Sequence, residues 1–357
     1  MAANRSVLLV GGAGFLGSVL TGELLARGYA VTILDRLFFG QVGIEPYRDR
    51  VRLLPADIRN LGVDCLQGVA AIINLSGLSN DPTAEYNPEA NYQMNTLATA
   101  TLAQLAKQCG VRRYIYASSC SVYDFGIVDA ERDVLMDETS TVDPRAAYSK
   151  SKYDGERALL ALIDDSFCPV ILRMGTLYGF SPRMRYDLVV NTFVKDALSK
   201  GYVTLHYGGQ MWRPLAEVRD AARAYVALLE APEDAVRGEI FNLVHDNYRI
   251  SELALRVRDA LADLDIDAEI RTDFKYAAVR NYRVSGRKIT QALNFRLEVG
   301  IEDSVRHIVE NVRAFGYMNF DHDRYYNIRW MRLLEEAQSI INITGGIFDS
   351  PAPKALG

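Results

Sequence analysis

The stretch Gly11-Gly12-Ala13-Gly14-Phe15-Leu16-Gly17 decides the fold of this chain, because it follows directly on the apolar run Val7-Leu8-Leu9-Val10. Glycines permit a tight turn and let backbone N–H groups approach a ligand closely. The positive end of the helix that begins here attracts negative charge. The spacing is G-x-x-G-x-x-G. The stretch therefore predicts a strand, a turn and a helix that together hold a pyrophosphate.

A second apolar run, Ala30 to Leu34, ends in Asp35, eighteen positions after Gly17. A dinucleotide-binding fold needs an acceptor for the adenosine ribose hydroxyls at about this place. An acid there favours NAD over NADP, whose ribose carries a phosphate. Arg36 supports the opposite interpretation, because it can pair with a 2′-phosphate. We expect NAD, with NADP as the alternative.

The composition is that of a soluble globular protein: 357 residues, 49% hydrophobic and 24% charged. The net charge of -5 provides no basic surface for nucleic acid or for an anionic membrane. No stretch resembles a membrane-spanning helix or a signal peptide. The histidines do not cluster with the scattered cysteines, which are Cys65, Cys109, Cys120 and Cys168. We expect reduced thiols, no metal site and a cytoplasmic location.

Strand-like runs alternate with helical patterns through the first half of the chain. The predicted strands cover 6–10, 30–34, 51–54, 70–75, 112–118 and 169–173, and the predicted helices cover 15–28, 87–109 and 146–165. Such alternation indicates parallel βαβ units. The fold class is therefore α/β, a Rossmann-type doubly wound parallel sheet with its ligand crevice at the carboxyl ends of the strands.

The regular alternation stops at Tyr178, where a segment rich in Gly, Pro, Arg and aromatic residues begins. That composition suits a substrate lobe. Later patterns predict a helix over 218–230 and a strand over 239–244 that return to the sheet. We expect a dinucleotide-binding domain over 1–179 with 212–246 returning to it, a smaller interleaved C-terminal substrate lobe over 180–211 and 247–316, and a C-terminal helix and tail over 317–357.

The pair Tyr148 and Lys152 carries the candidate chemistry. Four residues apart at the start of a helical pattern, the phenol and the ammonium project from one face of the helix. An adjacent ammonium favours the phenolate, which brings a tyrosine closer to the range of a general base. Lys152 can also hydrogen-bond the nicotinamide ribose. By itself this spacing is common on solvated helices, but here it follows a serine-ended strand in a dinucleotide-binding pattern.

The chain resembles the extended short-chain dehydrogenases/reductases of the nucleotide-sugar epimerase and dehydratase group over about residues 6–316. The resemblance rests on Gly11 to Gly17, Asp35, Asp57-Ile58, Asn74 to Gly77, Asn95, Ser118 to Tyr123, Tyr148 to Lys152, Arg173 to Gly179 and Trp212 to Pro214. It implies that Tyr148 is the acid/base, Lys152 its modulator, and Ser119 a hydrogen-bonding partner of the reacting oxygen. The further cofactor-binding residues that it implies are Asp57 and Ile58 at the adenine, Leu75, Ser76 and Asn95.

The resemblance also implies a nucleotide-diphosphate sugar as the partner. Arg213 and Arg280 would hold the diphosphate, and Thr176 occupies a sugar-contact position. Arg185, Asp187 and Asn191 lie in or beside the segment that lines the nucleotide pocket in the family. Asn80 and Asp81 can face the sugar ring or cap their own loop. In an acidic chain, the second-lobe arginines Arg183, Arg185, Arg213 and Arg280 are what a local diphosphate clamp requires. Each of them, taken singly, can equally form a surface ion pair.

One departure from the family concerns the residues that follow Ser119. The sugar 4,6-dehydratases carry Asp-Glu there, as the acid and base that eliminate water, and this chain has Cys120 and Ser121. A dehydratase is therefore disfavoured. The Cys120 thiol is a candidate acid/base for inverting a carbon next to a ketone, against the commoner case of a buried, inert cysteine.

The favoured reaction is epimerisation: NAD stays bound, Tyr148 takes part in oxidising a ring hydroxyl to a ketone, and the hydride returns to the opposite face. The alternative is an NAD(P)H-dependent reductase of a nucleotide-linked 4-keto sugar. A non-catalytic dinucleotide sensor is expected to lack the tyrosine or the lysine, and both are present. A homodimer is implied by the resemblance through the helices at 87–109 and 146–165.

Overall fold

A computed structural model describes residues 5–124, 134–274 and 280–344 of the chain. Its strands are β1 (Ser6–Val10), β2 (Ala30–Asp35), β3 (Arg52–Pro55), β4 (Ala71–Asn74), β5 (Arg113–Ser119), β6 (Leu135–Met136), β7 (Cys168–Met174), β8 (Thr176–Tyr178), β9 (Tyr202–His206), β10 (Trp212–Glu217), β11 (Ile240–Leu243), β12 (Asp246–Arg249), β13 (Glu269–Asp273) and β14 (Arg283–Val284). Its helices are α1 (Phe15–Ala26), α2 (Asp81–Tyr86), α3 (Pro88–Tyr92), α4 (Ala98–Gln108), α5 (Ala147–Leu160), α6 (Val189–Lys200), α7 (Val218–Glu230), α8 (Glu233–Val236), α9 (Ile250–Ala262), α10 (Arg287–Leu293), α11 (Ile301–Ala314) and α12 (Asn327–Thr344).

The central sheet is parallel, and its described strands follow the order β11-β7-β5-β4-β1-β2-β3. The order reverses direction at β1, as in a doubly wound sheet. The register brings the carboxyl ends together, because Val10 lies beside both Leu34 and Asn74, and Ser119 lies beside Met174. The predicted fold class is confirmed.

Both faces of this sheet are covered, which explains why its strands are almost continuously apolar. Leu9 faces a core shared with α1 and α7, whereas Leu8, its neighbour, faces a core shared with α4 and α5. This alternation is the period-two geometry of a strand. A π-helical turn, Gln93–Leu97, joins α3 to α4 in the segment predicted as one helix.

The second lobe has its own core, formed by α6, α9 and α11 with the β9–β13 pair. The segment 212–246 is divided between the two parts: α7 and β11 belong to the central sheet layer, while β10 pairs with β8 and β12 in a small separate sheet. The domain boundaries stay a prediction.

Beyond α11, residues 317–344 run back across the molecule, and we call them the C-terminal strap. Tyr317, Phe320 and Tyr325 of the strap are buried in the second core, around Tyr186. Helix α12 then packs near α2. The expected tail therefore contributes to the folded body as far as residue 344, and the Pro/Gly-containing end lies outside the described residues.

Two further predictions meet the structure differently. The helix expected over 146–165 ends at Leu160, because Asp164 accepts hydrogen bonds from the backbone and hydroxyl of Ser166 and starts a turn. On the two helices through which the resemblance implies a homodimer, Leu102 and Leu159 are buried in the core and Leu97 is 48% exposed. The homodimer stays a prediction. No described helix has the length and apolarity needed to cross a membrane.

Candidate active site

A cavity of about 500 Å³ lies at the carboxyl ends of the parallel strands, between the two cores and beneath the strap. Most of the predicted site residues line it: Gly11, Gly14, Phe15, Leu16, Gly17, Asp35, Arg36, Asp57, Ile58, Leu75, Ser76, Asn80, Ser119, Tyr148, Lys152, Thr176, Arg185, Asp187 and Arg280. Four do not: Asn95, Cys120, Asn191 and Arg213. The structure thus brings together residues from both lobes in one place.

The glycine turn has the geometry of a phosphate cradle. Gly11 has a φ of +81°, in the left-handed region. A Cβ on Gly17 would lie 2.6 Å from Gly12 Cα and would also collide with the Gly11 carbonyl, so only glycine lets α1 begin this close to the turn. The first turn of α1 contains no acidic side chain that would occupy its positive end. These features fit the pyrophosphate of a dinucleotide.

The carboxyl end of β2 fits the adenosine part of the same ligand. Asp35 lines the cavity and accepts hydrogen bonds from the backbone N–H groups of Ala13 (3.0 Å) and Leu37 (2.7 Å). Burial raises the pKa of Asp35, while these two bonds lower it. Arg36 is paired with Asp57 at 3.1 Å. The side chain that can meet a 2′-phosphate is therefore engaged elsewhere, which favours NAD.

Tyr148 lines the cavity at the start of α5. Burial raises its pKa to about 12, and the charge of Asp81 acts in the same direction. The hydrogen bond with Ser119 and the charges of Arg280 and Arg185 lower it. The phenol is therefore protonated at neutral pH, and the hydroxyl of Ser119 is next to it.

Lys152 is 4% exposed and its ammonium donates to the carbonyl of Ala117 at 2.9 Å. Its Nζ also lies 5.0 Å from the centre of the Tyr116 ring. Burial lowers the pKa of Lys152 to about 8, against a smaller opposing effect of Glu156. The ammonium thus lines the cavity while held by the strand that ends in Ser119.

A buried ion pair beneath this pair was not anticipated from the sequence. Glu156 and Arg173, both 2% exposed or less, form hydrogen bonds of 2.9 and 2.6 Å, and Ser118 donates to the same carboxylate. Arg173 also donates to the hydroxyl of Tyr123. The network fixes α5 against the ends of β5 and β7, and so positions Tyr148 relative to Ser119. Glu156 lies four residues after Lys152, a spacing that could have indicated it.

The second-lobe side of the cavity is lined by paired charges. Arg185 contacts Asp187 with two bonds, of 2.8 and 3.0 Å. Arg280 is paired with Asp81 and, at 3.1 Å, with Asp124. Asn80 caps α2 by accepting from the N–H of Thr83, as the loop-capping interpretation expected. A diphosphate entering this side would compete with carboxylates for the arginines.

Two predicted contacts act from behind the cavity wall. Asn95 is fully buried and bonds to the N–H and the carbonyl of Leu78, so it shapes the loop after β4 instead of lining the site. Asn191 bonds to Gly179 and to the carbonyl of Arg185 in the same way. Both amides satisfy loop backbone, which a spacing in the sequence cannot distinguish from ligand contact.

Arg213 and Cys120 also point elsewhere. Arg213 donates to the carbonyls of Trp212 and Arg280, behind Arg280 itself. The Cys120 thiol is fully buried and donates to the carbonyl of Arg173 at 3.3 Å. Burial raises the pKa of Cys120 far above its usual range. A fully buried thiol that does not line the cavity has no contact with the place of a substrate, which argues against that candidate role.

Arg183, one of the four arginines expected to form a diphosphate clamp, also lines the wall, and the sequence interpretation missed three side chains there, namely Asn327, Ile328 and Met331. Asn327 is near the centre of this group: its amide donates to Ser79 at 2.8 Å and accepts from Arg183 at 2.6 Å. No sequence signal indicated these three residues, because the strap has no motif.

Comparisons with known proteins agree with this site. The model of the NAD dependent epimerase/dehydratase family matches residues 7–243. UDP-glucuronic acid decarboxylase 1 of Xenopus tropicalis is 29% identical over 235 residues, 64% of this chain and 54% of that protein. A putative UDP-glucose 4-epimerase of Methanocaldococcus jannaschii is 24% identical over 322 residues, 85% of this chain and 97% of that protein. The chain therefore spans about half the length of the decarboxylase that it matches.

Among solved structures, MoeE5 in complex with UDP-glucuronic acid and NAD is 25% identical, with a TM-score of 0.73 over 87% of this chain and 99% of that chain. The resemblance drawn from the motifs is confirmed, and NAD as the cofactor agrees with the family. The family match spans the glycine turn, Ser119, Tyr148 and Lys152, which line a single cavity in the structure. The protein accordingly belongs to the NAD dependent epimerase/dehydratase family.

Proposed function

We propose that the protein is an NAD-dependent epimerase of a nucleotide-linked sugar, acting through a transient keto sugar. The observation that supports it most directly is the environment of Tyr148, which is hydrogen-bonded with Ser119 in the cavity and has no carboxylate at positions 120 or 121. One acid/base group beside a hydride carrier suffices to oxidise and re-reduce a carbinol, whereas elimination of water needs a second.

NAD, when bound, supplies the acceptor and later the donor of the hydride. In its phenolate form, the Tyr148 oxygen takes the proton of the ring hydroxyl as that carbon becomes a ketone, and is thereby converted to the phenol. The same phenol returns the proton when the ketone is reduced on its other face, and Ser119 hydrogen-bonds the oxygen in both directions. Substrate and product are isomers, so no oxidant is consumed.

Because Tyr148 both accepts and donates a proton in this cycle, its surroundings must stabilise the phenol in one half and the phenolate in the other. Burial raises that pKa to about 12, which suits the proton-donating half of the cycle. For the proton-accepting half, the positive charges of Arg280 and Arg185 lower it. Lys152, four residues along the same helix, is the cation to which the family resemblance assigns this role. Asp81 opposes them, and its pairing with Arg280 reduces that opposition.

A nucleoside diphosphate sugar suits the second-lobe wall. Arg185 and Arg280 line the cavity, as does Thr176, the sugar-contact candidate. Relatives named for UDP-linked sugars, and MoeE5 with UDP-glucuronic acid, support a uridine diphosphate carrier. The Arg36–Asp57 pair argues against the alternative, a reductase that consumes NADPH.

The test begins with the freshly purified protein. It is denatured and any released dinucleotide is identified by chromatography and mass. The intact protein is then incubated with UDP- and dTDP-linked hexoses and uronic acids, without added cofactor, and products are identified by NMR. Near-stoichiometric NAD and an epimeric product support the proposal. Turnover only with NADPH would favour the ketoreductase, and release of carbon dioxide from a uronic acid would favour a decarboxylase.

A further inference from the structure

Arg183 is a buried cation with an incomplete set of partners. Its side chain is 3% exposed and lines the cavity, and its guanidinium carbon lies 3.6 Å from the centre of the Phe39 ring. One terminal nitrogen donates to the side-chain oxygen of Asn327 at 2.6 Å. The Nε–H is buried without a hydrogen-bond partner.

The backbone of Arg183 is linked by hydrogen bonds, through Ser181, to the helix that follows the glycine turn. Ser181 contacts the carbonyl of Phe15 (2.7 Å) and the hydroxyl of Ser18 (2.8 Å), both in the first turn of α1, and accepts from the N–H of Arg183. A Cβ on Gly43 would lie 3.0 Å from Arg183 Cβ and 2.7 Å from the carbonyl of Ala13. Arg183 therefore stands at the cofactor end of the cavity although it comes from the second-lobe segment.

The charge on Arg183 needs an anion. Within the described ranges no carboxylate lies within salt-bridge distance of it, and Asp35 and Asp187 act on it only from farther away. Burial, with a smaller contribution from the like charge of Arg185, lowers the pKa of Arg183 to about 9, so the side chain still carries its charge at neutral pH. An unpaired buried cation is costly unless a bound anion completes its surroundings.

We propose that Arg183 is a cofactor-binding residue that pairs with the pyrophosphate of the bound dinucleotide, opposite the glycine turn, while Asn327 of the C-terminal strap holds its guanidinium in place. The planar fork of an arginine matches the oxygens of a phosphate group. Through Asn327, the strap thereby contacts a residue that binds the cofactor. Trp330 of the strap also donates a hydrogen bond to the carbonyl of Phe38, another residue of the cavity wall, at 2.6 Å.

The diphosphate of the sugar nucleotide is the other source of the same chemistry. The position of Arg183 favours the dinucleotide, because the guanidinium lies over Phe39 and the neighbouring Ser181 contacts Phe15 and Ser18, which follow the glycine turn. Arg185 and Arg280, which are already paired with carboxylates, are the candidate cations for the substrate. The proposed role requires a bound dinucleotide but no particular reaction.

The test compares ligands with and without the pyrophosphate. The protein is stripped of copurified dinucleotide, and calorimetry measures the affinity of the wild type, Arg183→Gln and Arg183→Lys for ADP-ribose, adenosine and UDP. We expect Arg183→Gln to bind ADP-ribose about 10- to 100-fold more weakly, with adenosine and UDP affinities within about twofold of wild type. Arg183→Lys, which keeps the charge, should recover part of the loss. The NAD content of freshly purified Arg183→Gln should fall in parallel.

Arg113→Gln is the matched control. Arg113 is also buried, but it donates to the carbonyls of Leu228 and Ala231 far from the cavity, so its loss should leave ADP-ribose affinity unchanged. Circular dichroism and thermal unfolding verify that each variant is folded. Unchanged ADP-ribose affinity in a folded Arg183→Gln would overturn the proposal. So would a loss confined to UDP, which would assign Arg183 to the substrate, or an equal loss for adenosine, which would indicate a purely structural role.

Discussion

The two walls of the cavity are built in opposite ways. The cofactor wall, formed by the glycine turn and the ends of β2 and β4, consists of backbone geometry set by residues close together in the chain; the bond from Ala13 to Asp35 spans 22 positions. The strap wall consists of long side chains from distant segments. The bonds from Asn327 to Ser79 and from Trp330 to Phe38 span 248 and 292 positions.

The difference concerns what each wall can tolerate. At Gly17 the surrounding backbone leaves no room for an added carbon, so a single methyl group disrupts the turn. A wall of hydrogen-bonded side chains loses one contact at a time, and each contributes about 1 kcal/mol. We therefore expect abrupt failure at the glycine turn and graded loss at the strap. Tyr148, the proposed acid/base, lines the same cavity.

The largest effect is expected at that tyrosine. Tyr148→Phe removes the hydroxyl that exchanges the proton and should lower turnover by about 10²- to 10⁴-fold, with NAD still bound. Product formation by NMR and dinucleotide content by mass measure the two. Cys120→Ser is the control: its side chain faces the carbonyl of Arg173 outside the cavity, so turnover should be unchanged. Equal activity of Tyr148→Phe and wild type would refute the proposed chemistry.

Gly17→Ala tests the abrupt failure of the cofactor wall. The new methyl group would meet Gly12 Cα and the Gly11 carbonyl, which are backbone and cannot move aside. We expect loss of copurified NAD and destabilisation by about 1–3 kcal/mol in chemical denaturation. Gly62→Ala is the control, since an added Cβ there meets nothing within 4 Å and φ is negative. If Gly17→Ala retained NAD like the control, the turn would not be the phosphate cradle.

Lys152 provides a test through the pH dependence of stability, because its charge is buried in the wall of the cavity. Its folded pKa of about 8 lies below the ordinary value of 10.5, so between these pH values the unfolded chain binds the proton and the folded chain does not. Stability from this group therefore rises as pH increases from about 8 to 10.5 and is lost as pH falls through 8.

The rise should be at most about 3 kcal/mol in the wild type and absent in Lys152→Met. Urea unfolding of both proteins at pH 7, 8.5 and 10 measures it, and the difference between them removes the contribution of other groups. Parallel pH profiles would contradict the expected burial of the charge.

The smallest effect is expected at the strap. Asn327→Ala removes the contacts to Ser79 and Arg183 and should cost on the order of 1 kcal/mol of stability and weaken NAD retention several-fold, without abolishing it. Thermal unfolding and the rate of NAD loss during gel filtration measure this. Complete loss of NAD would show that the two walls do not differ as described.

Much of the cofactor half could be predicted because its determinants are local. The strands, the glycine turn, Asp35 and the Tyr148–Lys152 spacing are read directly from neighbouring residues. The glycine turn, Asp35, Tyr148 and Lys152 all contribute to the cavity lining. The structure departs from the predicted positions where burial decides which group a side chain contacts. Asn95 and Asn191 satisfy loop backbone, and the Cys120 thiol bonds a carbonyl, although each lies in a motif of the family.

The sequence by itself determined the α/β fold, the family and the place of the dinucleotide. Periodicity and short motifs encode local backbone geometry, and the residues that follow parallel strands meet at one end of the sheet. Only the tertiary structure decided that the strap closes the cavity, that Glu156 and Arg173 pair beneath the active site, and that Arg183 stands at the glycine turn. Those contacts join residues distant in the chain, and their partners are selected by packing, burial and charge in three dimensions.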